Sequence, residues 1–180
     1  MVDTLIKNAD NAIPITIVKT PDFINWIEKQ PKAVQRWTAT TVLNGEPGSL
    51  RLLNDGNGEL TQVIFCVPEN PTLWDWAPIA TELPVGTYTV DNSFSNGEVQ
   101  DLIIAWGLAQ YRFDKYKFDE RGLPSLAVPK TADLMAAKRT IRFTNLARDL
   151  INTPASDMGP DNLADEATDL ANEYGAGINI

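Results

Sequence analysis

The sequence has no histidine and a single cysteine among 180 residues. Each scarcity excludes chemistry. Without histidine there is no Ser-His-Asp triad, no Cys-His nucleophile pair and no imidazole metal ligand. A metal bound within this sequence would have to rely on carboxylates and carbonyls. One cysteine cannot close an internal disulfide, and Cys66 sits inside the apolar run 63–67, where a thiol packs as a small hydrophobe. Basic residues are also in short supply. Fifteen Lys and Arg face 24 Asp and Glu, for a net charge of −9, which argues against a polyanionic partner. No apolar run approaches the ~20 residues of a membrane helix. The N-terminal MVDTLIKNAD lacks the basic start and apolar stretch of a secretory signal, so a cytoplasmic location is expected.

What is present reads as a globular α/β chain, with 43% hydrophobic and 22% charged residues. Residues 13–18 alternate and are β-branched, which predicts a strand with Pro14 near its start. Thr20, Pro21 and Asp22 supply an N-cap, a first-turn proline and an acid for the helix that follows, with Phe23, Trp26 and Ile27 on its apolar side. A short helix after Pro31 would bury Ala33, Val34 and Trp37. Residues 44–48 break it. A hairpin follows, with Leu50, Leu52 and Leu53 on one strand, 63–67 on the other, and the glycines of 54–58 in the reversal. The continuous apolar run 63–67 fits a strand buried on both faces.

Asn70 and Pro71 predict a further helix start, with Leu73, Trp74, Ala77 and Ile79 as its apolar residues. A strand is expected at 85–90. A helix over 97–110 should bury Val99, Leu102, Ile103, Ala105, Trp106 and Leu108. Residues 123–128 read as a strand. Residues 131–151 read as one long helix with Leu134, Met135, Ile141, Leu146 and Leu150 spaced for burial. Strands and helices alternate, so the fold class is α/β, a mixed β-sheet flanked by helices on both faces and ending in a long linker helix. Residues 152–159 form a polar turn, 160–174 an acidic helix, and 178–180 the opening of a strand.

Three features invite sharper readings. Asp161, Asp165 and Asp169 share a helix face, near Glu166 and Glu173, but carboxylates on one straight helix cannot surround a cation; a solvated face explains them. Trp74 and Trp76 flank Asp75, and residues two apart on a helix do not make one flat platform. One is expected in the core and one at a packing edge. Residues 111–118 interleave aromatics with bases, as single-strand nucleic-acid sites do, but the run is short and its surroundings are acidic. The glycine pairs 45/48, 56/58 and 175/177 lie in turns. None follows a strand and opens a helix as a dinucleotide loop would.

Residues 145–160, NLARDLINTPASDMGP, resemble the junction between the two domains of the cytosol (leucyl) aminopeptidase family. There a long helix leads into an Asn-Thr-Pro-Ala-type turn. Residues 106–116, WGLAQYRFDKY, are similar to that family's Gly-Leu-x-x-Tyr-Arg-Phe element, near the end of its N-terminal domain. The resemblance implies a macro-domain-like N-terminal domain at 1–130, a linker helix at 131–151 and the start of a truncated catalytic domain at 152–180. It implies a parent hydrolase that removes N-terminal residues from peptides with two divalent metals, Mn or Zn, in its catalytic domain, and that assembles as a hexamer. The metal-holding Gly-Lys-Gly-x-x-Phe-Asp-Ser-Gly-Gly-like and Asn-Thr-Asp-Ala-Glu-Gly-Arg-like loops are not in this sequence. No catalytic, cofactor-binding or metal residue is therefore assigned, and the 180-residue piece is expected to be inactive. The expected partners are the parent's own catalytic domain, copies of itself and the parent's peptide substrates, with neither nucleic acid nor membrane among them. The alternative is a free-standing macro-like module that binds ADP-ribose or a related nucleotide. The gene continuing past Ile180 into both metal loops, or stopping there, would discriminate between the two.

Overall fold

A computed structural model describes residues 4–41, 43–90, 94–117 and 120–180. Six strands form one sheet: β1 (Leu5–Ile6), β2 (Ile13–Lys19), β3 (Leu50–Asn54), β4 (Leu60–Val67), β5 (Thr87–Val90) and β6 (Ser125–Ala127). Their spatial order is β1-β6-β5-β2-β4-β3. Neighbours run parallel except at one edge, where β3 pairs antiparallel with β4 through the expected hairpin. The sheet is mixed, as the sequence predicts. β1 had no counterpart in the sequence reading: two residues are too short for a period, and pairing with β6 is what makes them a strand.

Strand β4 shows why the sheet needs cover on both sides. Residues 63–67 are all fully buried, and alternation sends them to opposite faces. Val63, Phe65 and Val67 enter the main core with Trp76, Ile79, Leu102 and Trp106, whereas Ile64 and Cys66 join Val18, Phe23, Leu43 and Leu53 in a second core. Each such side chain contributes about 1.5–3 kcal/mol on burial. Helices α1 (Phe23–Glu28) and α2 (Lys32–Thr40) cover the second core; α3 (Ala77–Glu82), α4 (Asn96–Ala109) and α5 (Leu134–Asn152) lie over the first. Helix α6 (Pro160–Tyr174) buries none of its residues.

Helix α4 buries Val99, Leu102, Ile103, Ala105, Trp106 and Leu108, the stripe read from the sequence. Elsewhere local expectations shift. Thr20 does not cap a helix. Thr20–Asp22 form a 3₁₀ turn, α1 starts at Phe23, and the Thr20 hydroxyl donates to the Gly45 and Val67 carbonyls at 2.7 and 3.1 Å. In α2 Ala33 is exposed and Thr38 is buried in its place. The helical segment after Asn70 begins two residues later, as a 3₁₀ turn at Leu73–Trp76. The Asp75 carboxylate there accepts from both the backbone N–H and the hydroxyl of Thr72, two bonds that fix the start at Thr72 rather than Asn70. Val85 is 69% exposed and precedes β5. Met135 lies on the outer side of α5 at 75% exposure, and Ala137 and Asn145 are buried with Ile141 instead. Residues 178–180 form no strand: no sheet edge meets them, and Ile178 and Ile180 are exposed.

The loop at Gly45 ties the second core to the sheet. Gly45 has φ +78°, and a Cβ there would stand 2.5 Å from the Phe23 ring. Gly48 has a similar φ of +81° but open space around it. Gly48→Ala should therefore cost only the left-handed backbone penalty of about 1–2 kcal/mol. Gly45→Ala should cost about 1–3 kcal/mol more, from overpacking against Phe23. Urea denaturation of the two variants measures the difference.

Candidate functional site

The two segments that resemble the aminopeptidase family meet in space. Helix α4 ends at Ala109 and the chain turns through 110–117. Helix α5 then crosses α4, and their approach is set by Gly107. A Cβ at this position would meet Ile141 Cδ1 at 2.4 Å and Cγ1 at 2.9 Å. The glycine is needed for closeness between helices, not for an unusual φ. One turn further along, Tyr111 donates its hydroxyl proton to Asp149 Oδ1 at 2.7 Å and accepts from Asn152 Nδ2 at 3.1 Å. Burial, then the hydrogen bond to Asp149, holds the Tyr111 hydroxyl above the ordinary tyrosine range. The Arg148 guanidinium lies 5.2 Å from the centre of the Tyr111 ring and donates to the Leu108 carbonyl at 2.8 Å. That carbonyl belongs to the last turn of α4, where a cation also favours the helix dipole.

Past the junction, Thr153 is buried and closes the end of α5, its N–H and hydroxyl both donating to the Asp149 carbonyl. Tyr116 donates to Asp157 in the turn that follows. Between these ties lies an open groove of about 350 Å³, lined by apolar Phe113, Leu146, Leu150 and Met158 together with charged side chains that include Lys115, Asp149 and Glu166. Among the described residues no group of three acids or cysteines is placed to hold a metal ion.

Asp161, Asp165, Glu166 and Asp169 are exposed on α6. Trp76 is fully buried and Trp74 is 69% exposed, so the pair forms no platform. In the run 111–117, Phe113 and Tyr116 stack edge to face with centroids 5.8 Å apart and Arg112 donates to the Arg121 carbonyl, while Lys115, Tyr116 and Lys117 are exposed. Phe118, the last residue of that run, lies outside the described residues. Cys66 is buried, and burial pushes its thiol up, against weaker opposing effects of Ser49 and Arg51.

At the carboxyl ends of β2 and β5, where connections leave in opposite directions, an α/β sheet commonly receives a ligand. Here the N-terminus of α4 receives its own side chain. Ser95 N–H and hydroxyl donate to Glu98 Oε2 at 3.0 and 2.8 Å, and Lys19 Nζ lies 2.7 Å from Glu98 Oε1. Lys19, foremost, draws the Glu98 carboxyl below its usual range. A carboxylate stands where a diphosphate would be received, which weighs against ADP-ribose at this edge. The Ser95-x-x-Glu98 spacing is a capping box readable in the sequence. Its partner Lys19, and the contact between Gly107 and Ile141, are tertiary and left no local signal.

This geometry places the chain in a class, a helix-covered mixed-sheet α/β domain with a helical exit. The family description "M17 aminopeptidase, N-terminal domain" matches residues 13–129. A "Probable cytosol aminopeptidase" of Brucella suis biovar 1 (strain 1330) is 29% identical over 157 residues, 80% of this chain and 29% of the relative. Another of that name, from Halorhodospira halophila (strain DSM 244 / SL1), is 39% identical over 77 residues, 36% of this chain and 15% of the relative. A crystal structure of the cytosol aminopeptidase from Coxiella burnetii superimposes with a TM-score of 0.80 at 27% identity, over 95% of this chain and 38% of that one. The bottromycin maturation enzyme BotP shares the fold, with a TM-score of 0.63 at 20% identity over 91% of this chain and 38% of that one. This chain belongs to the M17 aminopeptidase family, and it carries the family's N-terminal domain. It spans only 29% of the length of the Brucella relative. The comparisons give no support to the ADP-ribose alternative or to a macro-like label.

The junction makes a prediction with a change of sign. Gly107→Ala should destabilise the fold by about 1–3 kcal/mol through the clash with Ile141. In an Ile141→Ala background the clash is gone. The same Gly107→Ala change should then be neutral or stabilising, by up to about 1 kcal/mol of helix propensity. Thermal unfolding of the four proteins of this cycle decides it.

Proposed function

We propose that this chain is the non-catalytic, assembly or regulatory N-terminal domain of a metal-dependent leucyl-type aminopeptidase, a hydrolase that removes N-terminal residues from peptides. The observation that carries the reading is the N-terminal-domain match over 13–129, joined to a sequence without histidine or either metal loop. In this reading residues 1–130 are the domain, 131–151 the linker helix and 152–180 the start of the catalytic domain. The match ending at residue 129 supports the first boundary, and the unbroken run of α5 from Leu134 to Asn152 supports the second.

Catalysis belongs to the parent's catalytic domain. Two divalent ions, Mn or Zn, would there activate a water and polarise the scissile carbonyl. A BotP structure was solved in complex with Mn, which supports a metal-dependent parent. The work of this domain is to present α5 at a set angle and to pack against the catalytic domain and other copies, in a hexamer. The relatives' name of cytosol aminopeptidase supports a cytoplasmic parent. No helix of the described residues is long and apolar enough to cross a membrane.

The purified 180-residue chain should show no hydrolysis of a leucyl chromogenic substrate, with or without added manganese or zinc. Hydrolysis that purifies with the chain would overturn the reading.

A further inference from the structure

The tripeptide Asn-Gly-Glu occurs three times, at 44–46, 57–59 and 96–98. An asparagine before glycine is prone to lose its amide, because no side chain shields the glycine nitrogen that attacks it. The three copies share the two residues after the asparagine, so their surroundings set them apart. Two copies are held. Asn44 Oδ1 accepts the Glu46 N–H at 3.3 Å, Gly45 is buried against the Phe23 ring, and the Gly45 carbonyl accepts the Thr20 hydroxyl at 2.7 Å. Asn96 and Gly97 lie in the first turn of α4. Unwinding that turn breaks the Ser95–Glu98 capping box and takes Glu98 away from Lys19.

Asn57 sits in the reversal between β3 and β4. Residues 54–59 are all exposed, and the Asn57 carboxamide makes no hydrogen bond among the described residues. Gly58 has φ +88° and open space around it. The turn closes on Asp55 alone. Its Oδ1 accepts the Asn57 and Glu59 N–H groups at 2.8 and 3.0 Å, its carbonyl accepts the Gly58 N–H at 3.2 Å, and its own N–H donates to the Glu59 carbonyl at 2.8 Å. No buried residue takes part, so opening the turn breaks no core contact. Strand β3 is one edge of the sheet, and three strands separate it from β6, which leads into α5.

We propose that Asn57 is a site of spontaneous deamidation, and the copy that converts while the chain is folded. The Gly58 backbone nitrogen gives its proton to hydroxide and attacks Asn57 Cγ. The new N–Cγ bond closes a cyclic imide. The Cγ–Nδ2 bond breaks, and Nδ2 takes a proton from water and leaves as ammonia. Water then opens the ring at either carbonyl, giving aspartate or isoaspartate. A carboxyl with an ordinary pKa of about 4 is ionised at neutral pH, so either product adds a negative charge beside Asp55 and Glu59. Isoaspartate also lengthens the backbone by a methylene inside the turn. The change marks this edge of the sheet irreversibly with age.

Ageing the purified chain at mildly alkaline pH, followed by peptide mapping with mass spectrometry, tests this with the other two copies as internal controls. The peptide holding Asn57 should convert to the acid about tenfold faster or more than those holding Asn44 and Asn96, because local opening rather than sequence sets the rate. In urea strong enough to unfold the chain, the three rates should converge. Asn57→Gln, which needs a larger ring to close, should remove the fast conversion and leave the slow rates at Asn44 and Asn96 unchanged. The proposal is overturned if Asn44 or Asn96 converts as fast as Asn57 in the folded chain. It is equally overturned if Asn57 stays intact there while it converts in urea, or if the three rates remain as unequal in urea as before.

Discussion

The closeness of α4 and α5 is the constraint on which the far half of this molecule depends. Gly107 removes the one side chain that would hold Ile141 away, and the two helices meet with almost no spacer. Because α4 is itself wedged against the sheet through Trp106, Leu102 and Ile103, its position is dictated by the main core. The contact at Gly107 passes that position on to α5. Arg148 and Tyr111 then fix rotation, since a guanidinium that both stacks on a ring and donates to a helix-terminal carbonyl has few ways to sit. The exit of the chain at Thr153 is thus set by the hydrophobic core through a short series of contacts.

Much of this was legible beforehand, and what was not follows a pattern. The buried strand β4, the hairpin and the stripe of α4 are legible in the sequence, because each is decided by an apolar pattern within one short segment. Helix starts were read less well. Thr20 and Asn70 both look like caps in isolation, yet Thr20 found two carbonyls across the chain and Asn70 lost to the pair Thr72 and Asp75. Met135 sits in an apolar sequence position but on the outer side of α5, since the helix begins at Leu134 and its phase follows Ala137, Ile141 and Asn145. The strand expected at 178–180 needed a sheet edge that no local pattern supplies.

The junction was legible only as a resemblance. Residues 106–116 and 145–160 could be matched to a family element by element, but nothing in their spacing disclosed that they touch. Their contact gives the motif residues a physical meaning: Gly107 for approach, Tyr111 for the bond to Asp149, Asn152 for the second bond to the same hydroxyl, and Thr153 to close the helix. These are structural roles. Beyond the interlock, Tyr116 donates to Asp157 in the turn before α6, and Arg142 of α5 pairs with Glu173 at the last turn of α6.

The claim that the two motifs form one interlock is tested most directly by a double-mutant cycle between Tyr111→Phe and Asp149→Ala, read by urea denaturation. Residues that share one hydrogen bond should couple, and a coupling energy of about 0.5 kcal/mol or more is predicted. Losses that simply add would contradict the interlock and leave the two motifs as neighbours without a common function.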